Sequence, residues 1–407
     1  ELWERTRVPR RPMVLDLGKA QAGKLVREPV PGAPGIVLEY RVETITAADA
    51  RILRIGEDGH GARALSVFLV NARALVTDRE RDGRGHSREL NCQSLFQVEF
   101  GLRAGVGLLP RPDAHFANSQ DFDDRMVDLQ FRNEVEWVVG HGIAARAIGR
   151  DPAAPAKPVS NPAVGAVAEW LPHTSVARVQ PSKIPGVTVA MTELASLADA
   201  AAVQQHLGAL PAAYAQWITA QAAIPLTQAS HRETQTQLVA RAREAQARIT
   251  DGIELLASDP QLRQAFCWAN EAMAAVARRR LGKNDPAFVP KWHLFQLAFL
   301  LLNLRGISDP EHEDRDKVEL LFFPTGGGKT EAYLGVIATT LLLRRMRGQD
   351  RADGGLGVAV ILRYTLRLLT LDQLERAAAL ICSLELLRRQ HPRELGLDRY
   401  AIGLWVG

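Results

Sequence analysis

Val318-Glu319-Leu320-Leu321-Phe322-Phe323-Pro324-Thr325-Gly326-Gly327-Gly328-Lys329-Thr330 is the stretch on which the reading of the chain turns. Its first six residues form a short apolar run around one carboxylate, the composition of a buried parallel strand. Pro324 and three glycines follow, then Lys329 and Thr330, and Glu331 to Met346 reads as a helix. Strand, glycine-rich turn and helix are the context that a phosphate-binding loop requires. Glycines lack Cβ, so the backbone can turn tightly and aim its N–H groups at phosphate oxygens. The free N–H groups at the start of the next helix favour a polyanion. The expected nucleotide-binding residues are therefore Thr325, Gly326, Gly327, Gly328, Lys329, Thr330 and Glu331, with ATP and Mg²⁺ as cofactors. Lys329 and Thr330 carry the chemistry: the ammonium on the β- and γ-phosphates, the hydroxyl as the Mg²⁺ ligand.

The strict form of this loop has glycine where the chain has Phe323. The string Pro-Thr-Gly-Gly-Gly-Lys-Thr instead resembles motif I of superfamily 2 helicases. Those proteins often carry an aromatic–glutamine pair some tens of residues upstream, whose amide reads the adenine edge. Gln296, in Trp292-His293-Leu294-Phe295-Gln296, is the matching candidate, because a primary amide donates and accepts at once. Downstream, Leu356 to Leu362 is expected as a second strand, and Arg363 to Arg376 resembles motif Ia, which touches the nucleic-acid backbone. Arg363, Thr365, Arg367, Thr370 and Gln373 are the candidate DNA contacts, guanidinium and hydroxyl groups being suitable phosphate partners. The plainer reading of these residues is a solvated face of an amphipathic helix.

Outward from the motif, three regions differ in composition. Residues 1 to about 125 read as β-rich, with strand candidates at 36–45, 65–70 and 95–100. Asp121, Asp123, Asp124 and Asp128 are read as a solvated acidic loop that could compete with phosphates for a basic groove, and His141 among glycines as structural. Prolines at 152, 155, 158, 162, 172, 181 and 185 predict loops and short strands over 151–190. From 193 to 282 Ala, Gln, Leu and Arg dominate, and helical spacing is clear over 231–257. The expected organisation is a β-rich module with a proline-rich connector (1–190), a helical segment (191–285) and the first part of a RecA-like helicase lobe (286–407). The expected fold class is α/β, with an incomplete RecA-like P-loop domain at the C-terminal end.

Bulk properties are permissive. The chain has 407 residues, a formal net charge of +4 and a pI near 9.1, which would suit a nucleic-acid partner without requiring one. Three scattered cysteines, Cys92, Cys267 and Cys382, exclude a disulfide framework or a zinc ribbon and suit a cytoplasmic setting. The apolar-leaning run from Ala332 to Leu343 is too short for the about 20 residues that a membrane span needs. A chain that starts on Glu1 and finishes on the strand-like Ala401 to Val406 is expected to be a piece of something longer.

Trp292 to Phe299, Val318 to Gly335 and Arg363 to Arg376, together with Phe131 to Gly142, resemble the helicase subunit of the DISARM anti-phage defence system (DrmA-type). The resemblance implies an ATP-driven helicase or translocase acting on foreign DNA, in a complex with a DUF1998-containing subunit, beside a DNA methyltransferase and a phospholipase D-like protein. It implies two RecA-like lobes, of which this chain holds the beginning of the first, so that the segment alone should not turn over ATP. Two other classes stay open. One is a different P-loop enzyme, such as a kinase or a AAA-type ATPase. The other is a nucleotide-binding scaffold subunit of a DNA-binding complex without strand separation.

Overall fold

The computed structural model describes residues 12–18, 20–46, 62–74, 93–109, 119–133, 136–149, 163–172, 182–280, 287–323, 326–349, 353–364 and 367–405. The chain divides into two compact units, Glu1–Val176 and Ala177–Gly407.

The first unit carries two small antiparallel sheets. In one, β1 (Val26–Pro29), β2 (Ile36–Thr44) and β3 (Arg63–Asn71) lie in the order β1-β2-β3, with Val26 opposite Tyr40 and Ile36 opposite Asn71. Ile36, Tyr40 and Val42 are buried: the even positions of β2 carry the inner face, as a period of two requires. In the other, β4 (Glu99–Leu108), β5 (Ala144–Ile148) and β6 (Ala163–Glu169) lie in the order β4-β6-β5. The strand expected from residue 95 starts only at Glu99. Gln97 holds φ +52, a left-handed backbone that breaks an extended run. The acidic loop expected at Asp121–Asp128 is instead a helix, α1 (Phe122–Gln130). The Asp121 carboxylate caps it by accepting from the Asp123 N–H at 2.8 Å, and Ser119 Oγ donates to Asp124 at 2.6 Å. Aspartates at a helix start satisfy orphan N–H groups and suit the positive end of the dipole.

The second unit is helical: α2 (Met191–Leu194), α3 (Ala200–Leu207), α4 (Ala209–Ala222), α5 (Ala229–Ser258), α6 (Pro260–Arg280), α7 (Leu294–Leu302), α8 (Leu304–Ser308), a 3₁₀ turn at Glu313–Asp316, α9 (Lys329–Gly348), α10 (Arg367–Gln390) and α11 (Pro392–Leu395). The helical spacing over 231–257 lies within α5. Asp259 separates α5 from α6, its carboxylate accepting from the N–H groups of Gln261 and Leu262, with Pro260 at the first helical position. The run Ala265-Phe266-Cys267-Trp268-Ala269-Asn270 is buried on every side, which marks α6 as the central helix. It packs against α2, α5, α9 and α10. Phe266 and Met273 meet Leu297, Leu300, Leu342 and Leu384 in one hydrophobic core.

Ion pairs fix this core to what surrounds it. Arg248 on α5 reaches Asp314 at 2.9 Å and Glu319 at 2.6 Å, and Lys317 spans Asp314 and Glu244 at 2.8 and 2.9 Å. These contacts anchor the chain just before the glycine-rich loop. Burial raises the Asp314 pKa, but Lys317 and Arg248 outweigh it, and the net shift is downward. On α10, Glu385 accepts from Arg388, Arg389 and the Tyr400 N–H.

The two expected strands behave differently from the expectation. Residues 318–323 and 356–362 lie in no strand, and among the described residues neither pairs in a ladder. Val318, Leu320 and Phe322 are 96%, 84% and 88% exposed, while Leu321 and Phe323 are half-buried. The alternation of a strand is present, and the neighbours that would hydrogen-bond it are not among the described residues.

Two measurements check this packing. A Cβ on Gly252 would lie 2.1 Å from the Leu301 carbonyl oxygen, so α5 and α7 approach only because position 252 has no side chain. Gly252→Ala is expected to lower the stability of the helical unit by about 1–3 kcal/mol, read as a lower denaturation midpoint. An unchanged midpoint would mean that the helices cross further apart.

The second check is pH-dependent. The Arg388 hydrogen bond, against burial and with help from Arg389 and the Tyr400 N–H, holds the Glu385 carboxyl down to about 2. A depressed folded pKa stabilises above the ordinary glutamate value of about 4.3, and that contribution is lost as pH falls through the folded value. Glu385→Gln should therefore melt earlier than the parent at pH 7, with the gap closing between about pH 4.5 and 2. A gap independent of pH would remove the carboxylate from the account.

Candidate functional site: the glycine loop and its supports

The loop sits between residues 318–323 and α9; Pro324 and Thr325 lie outside the described residues. Gly326 and Gly328 have φ +82 and +89, in the left-handed region where a side chain is strained. Their surroundings differ. Among the described residues nothing lies within 4 Å of a Cβ placed on Gly326, whereas one on Gly328 would come within 2.6 Å of Gln296 Nε2. One glycine thus leaves the loop face open and the other admits a close neighbour. Helix α9 begins immediately at Lys329 and Thr330, so the free N–H groups of its first turn belong to the same short stretch. The Lys329 ammonium folds back to donate to the Phe323 carbonyl.

Gln296 is the buried support, at 3% exposure. Its Oε1 accepts from the His293 N–H at 2.7 Å, and its Nε2 donates to the Gly328 carbonyl at 2.7 Å. Expected at the adenine edge, this amide spends one donor and its acceptor on the chain's own backbone. Phe295 stacks on Phe323 with ring centroids 3.9 Å apart, a second tie between α7 and the loop. Trp292 completes the platform: its indole N–H donates to Asn270 at 2.7 Å, and its ring lies so close to Gly335 that a Cβ there would be 2.9 Å away.

On the other side, the first turn of α9 meets the segment expected to touch DNA. Glu331 accepts from Arg280 at 2.6 Å and from Arg376. The Tyr333 hydroxyl lies 3.1 Å from Thr330 Oγ1, 2.6 Å from the Tyr364 hydroxyl and 2.8 Å from Gln373 Oε1. Of the expected DNA contacts, Arg363 is exposed, Thr370 is half-buried, and Gln373 turns its amide inward, its Nε2 donating to Asp372 at 2.9 Å. Thr365 lies outside the described residues. Arg367 opens α10, and its side chain lies outside them too. Tyr333, Tyr364, Arg280 and Arg376 were not singled out in the sequence. Only spacing could have flagged Tyr333, one helical turn after Thr330, and Arg376, one turn after Gln373.

With this geometry in place, comparison adds a second line of support. In an alignment of 365 positions that covers 84% of the chain, it is 30% identical to the DISARM protein DrmA of Bacillus paralicheniformis. The chain is a relative of DrmA. It spans 30% of that protein's length. No protein-family profile matches it. In this DrmA relative, no group of His, Cys, Asp and Glu among the described residues is arranged to hold a metal. Nor is any described helix long and apolar enough to cross a membrane.

The supports make a structural claim that can be checked alone. Gln296→Glu keeps the size of the side chain but replaces the Nε2 donor by an anion facing the Gly328 carbonyl. Hydrogen exchange at residues 326–331 is expected to speed up by about tenfold, matching the loss of roughly one buried hydrogen bond. Unchanged exchange there would mean that the loop holds its shape without Gln296.

Proposed function

We propose that this chain is the nucleotide-binding start of an ATP-driven motor that acts on DNA within a DISARM-type anti-phage defence complex. The observation that carries the reading is the loop itself: two left-handed glycines feeding directly into α9, with Lys329 and Thr330 as its first residues. The open face at Gly326 fits a polyphosphate that approaches the backbone closely. Gly326, Gly327 and Gly328 would offer N–H groups, Lys329 would leave the Phe323 carbonyl for the β- and γ-phosphates, and Thr330 would ligate Mg²⁺. Mg²⁺, when bound, would supply positive charge against the charge developing on the phosphates.

The DrmA relationship supports membership of a multi-subunit defence assembly, with a DUF1998-containing subunit as the partner we propose. The row of exposed apolar side chains at Val318, Leu320 and Phe322 favours a RecA-like sheet. We propose that the complete protein covers them with further strands. The residues that orient water and a second lobe would then come from outside this segment. Arg363, exposed beside the loop's neighbour Tyr364, would meet the nucleic-acid backbone together with Arg367.

In the complete protein, Lys329→Ala is expected to reduce ATP hydrolysis on the order of 100-fold or more while leaving thermal stability unchanged, because no neighbouring group can supply the lost charge. Hydrolysis near the parent rate would sink the assignment. Arg363→Ala with Arg367→Ala should weaken DNA binding for every sequence and reduce the log–log salt slope by about one to two. A parent-like slope would place both guanidiniums away from phosphate.

A further inference from the structure

Tyr333 has no part in the motifs, yet its hydroxyl joins the two halves of the site. It sits on α9 one turn after Thr330, within reach of Thr330 Oγ1 (3.1 Å), the Tyr364 hydroxyl (2.6 Å) and Gln373 Oε1 (2.8 Å). The Tyr364 hydroxyl is itself 3.4 Å from Gln373 Oε1. The hydrogens can be assigned by elimination. A phenol has one hydrogen and two lone pairs, and an amide oxygen only accepts. The Gln373 oxygen therefore takes the Tyr333 hydrogen at the shorter of its two contacts. Tyr364 donates to the Tyr333 oxygen, and the Tyr333 hydrogen is shared with Thr330 Oγ1, which accepts at the longer contact of 3.1 Å.

This arrangement matters for what Thr330 can do. A threonine hydroxyl that ligates a cation uses a lone pair, and the Tyr333 hydroxyl, by donating to Oγ1, fixes which lone pair is left to face the cation. Burial, and then the Tyr333 hydroxyl, push the Tyr364 pKa upward, so Tyr364 stays a donor. The far end of the chain of hydroxyls lies beside Arg363 and on α10, where Glu331 and Arg376 make a separate tie across the same two helices.

We propose that Tyr333 is a positioning residue that couples the Thr330 hydroxyl to the 363–376 segment, so that nucleic acid on that segment and Mg²⁺-nucleotide on the loop alter each other's affinity. The proposal rests on the nucleotide reading above. Coupling of this kind is reciprocal: the factor by which one ligand changes the other's affinity is the same in both directions.

The test uses the complete protein with a fluorescent non-hydrolysable ATP analogue and a single-stranded DNA oligonucleotide. Tyr333→Phe removes the hydroxyl and keeps the ring. In the parent, saturating Mg²⁺-analogue is expected to change oligonucleotide affinity by about fivefold or more, within the usual range of such couplings. In Tyr333→Phe this factor should fall to within about twofold of one. The half-saturating Mg²⁺ concentration for analogue binding should rise severalfold. Analogue affinity in EDTA and oligonucleotide affinity without nucleotide should match the parent, which a general loss of packing would not allow. Tyr364→Phe supplies a second variant: it should weaken the coupling but leave the Mg²⁺ midpoint in place, since Tyr333 still donates to Thr330. Parent-like coupling and Mg²⁺ requirement in Tyr333→Phe would overturn this inference and leave the nucleotide reading standing. A parent protein that binds no Mg²⁺-analogue would overturn both, and one that binds both ligands without coupling would overturn this inference alone.

Discussion

The hydrogen bond from Gln296 Nε2 to the Gly328 carbonyl joins the glycine loop to the helical core. Gln296 is buried on α7, and its other end is occupied by the His293 N–H. A primary amide with both ends engaged has one low-energy orientation, and removing either partner would strand a buried polar atom at a cost of about 1–3 kcal/mol. Gly328 must lack a side chain for this contact to form, since a Cβ would meet Nε2 at 2.6 Å. The left-handed turn, the start of α9 at Lys329 and the direction of the loop N–H groups all follow from where that carbonyl is held.

Behind the clasp the helical unit is a scaffold for one face. Trp292 is pinned by Asn270 and by its backbone link to Val189, and it accepts Gly335 of α9 at van der Waals range. The central α6 therefore fixes both the helix before the loop and the helix after it. Charge completes the frame. Arg248, Asp314 and Lys317 hold the chain entering residues 317–323, while Glu331 is shared by Arg280 and Arg376 on the exit side. Positions that carry function on such a frame need little local strain beyond two glycines, because the orientation comes from packing.

Different parts of this picture were legible in the sequence to different degrees, for physical reasons. The spacing in α5 showed because a long helix with one buried stripe repeats its pattern many times. The glycines at 326 and 328 showed because a turn with positive φ tolerates few other residues. Asp121 and its neighbours were misread as a loop: a cluster of carboxylates looks solvated until the cap that it makes to the Asp123 N–H is visible. The strand expected at 95–100 starts only at Glu99 and runs on to Leu108, because one backbone angle, at Gln97, has no compositional signal. The backbone partner of Gln296, a residue the sequence offered for the adenine edge, and the whole role of Tyr333 were out of reach for another reason. These two side chains have partners 32 and 40 residues away in sequence at the farthest contact, and no local pattern encodes which atom of an amide or phenol faces which neighbour.

The central claim is that the loop is preorganised for a polyphosphate, with Lys329 as its mobile part and the Gln296 contact as its fixed part. A structure of the complete protein with Mg²⁺ and a non-hydrolysable ATP analogue tests it directly. The account predicts that Lys329 Nζ leaves the Phe323 carbonyl for the phosphates, while Gln296 Nε2 stays within hydrogen-bonding distance of the Gly328 carbonyl. An analogue bound elsewhere, with Lys329 still on Phe323, would contradict it.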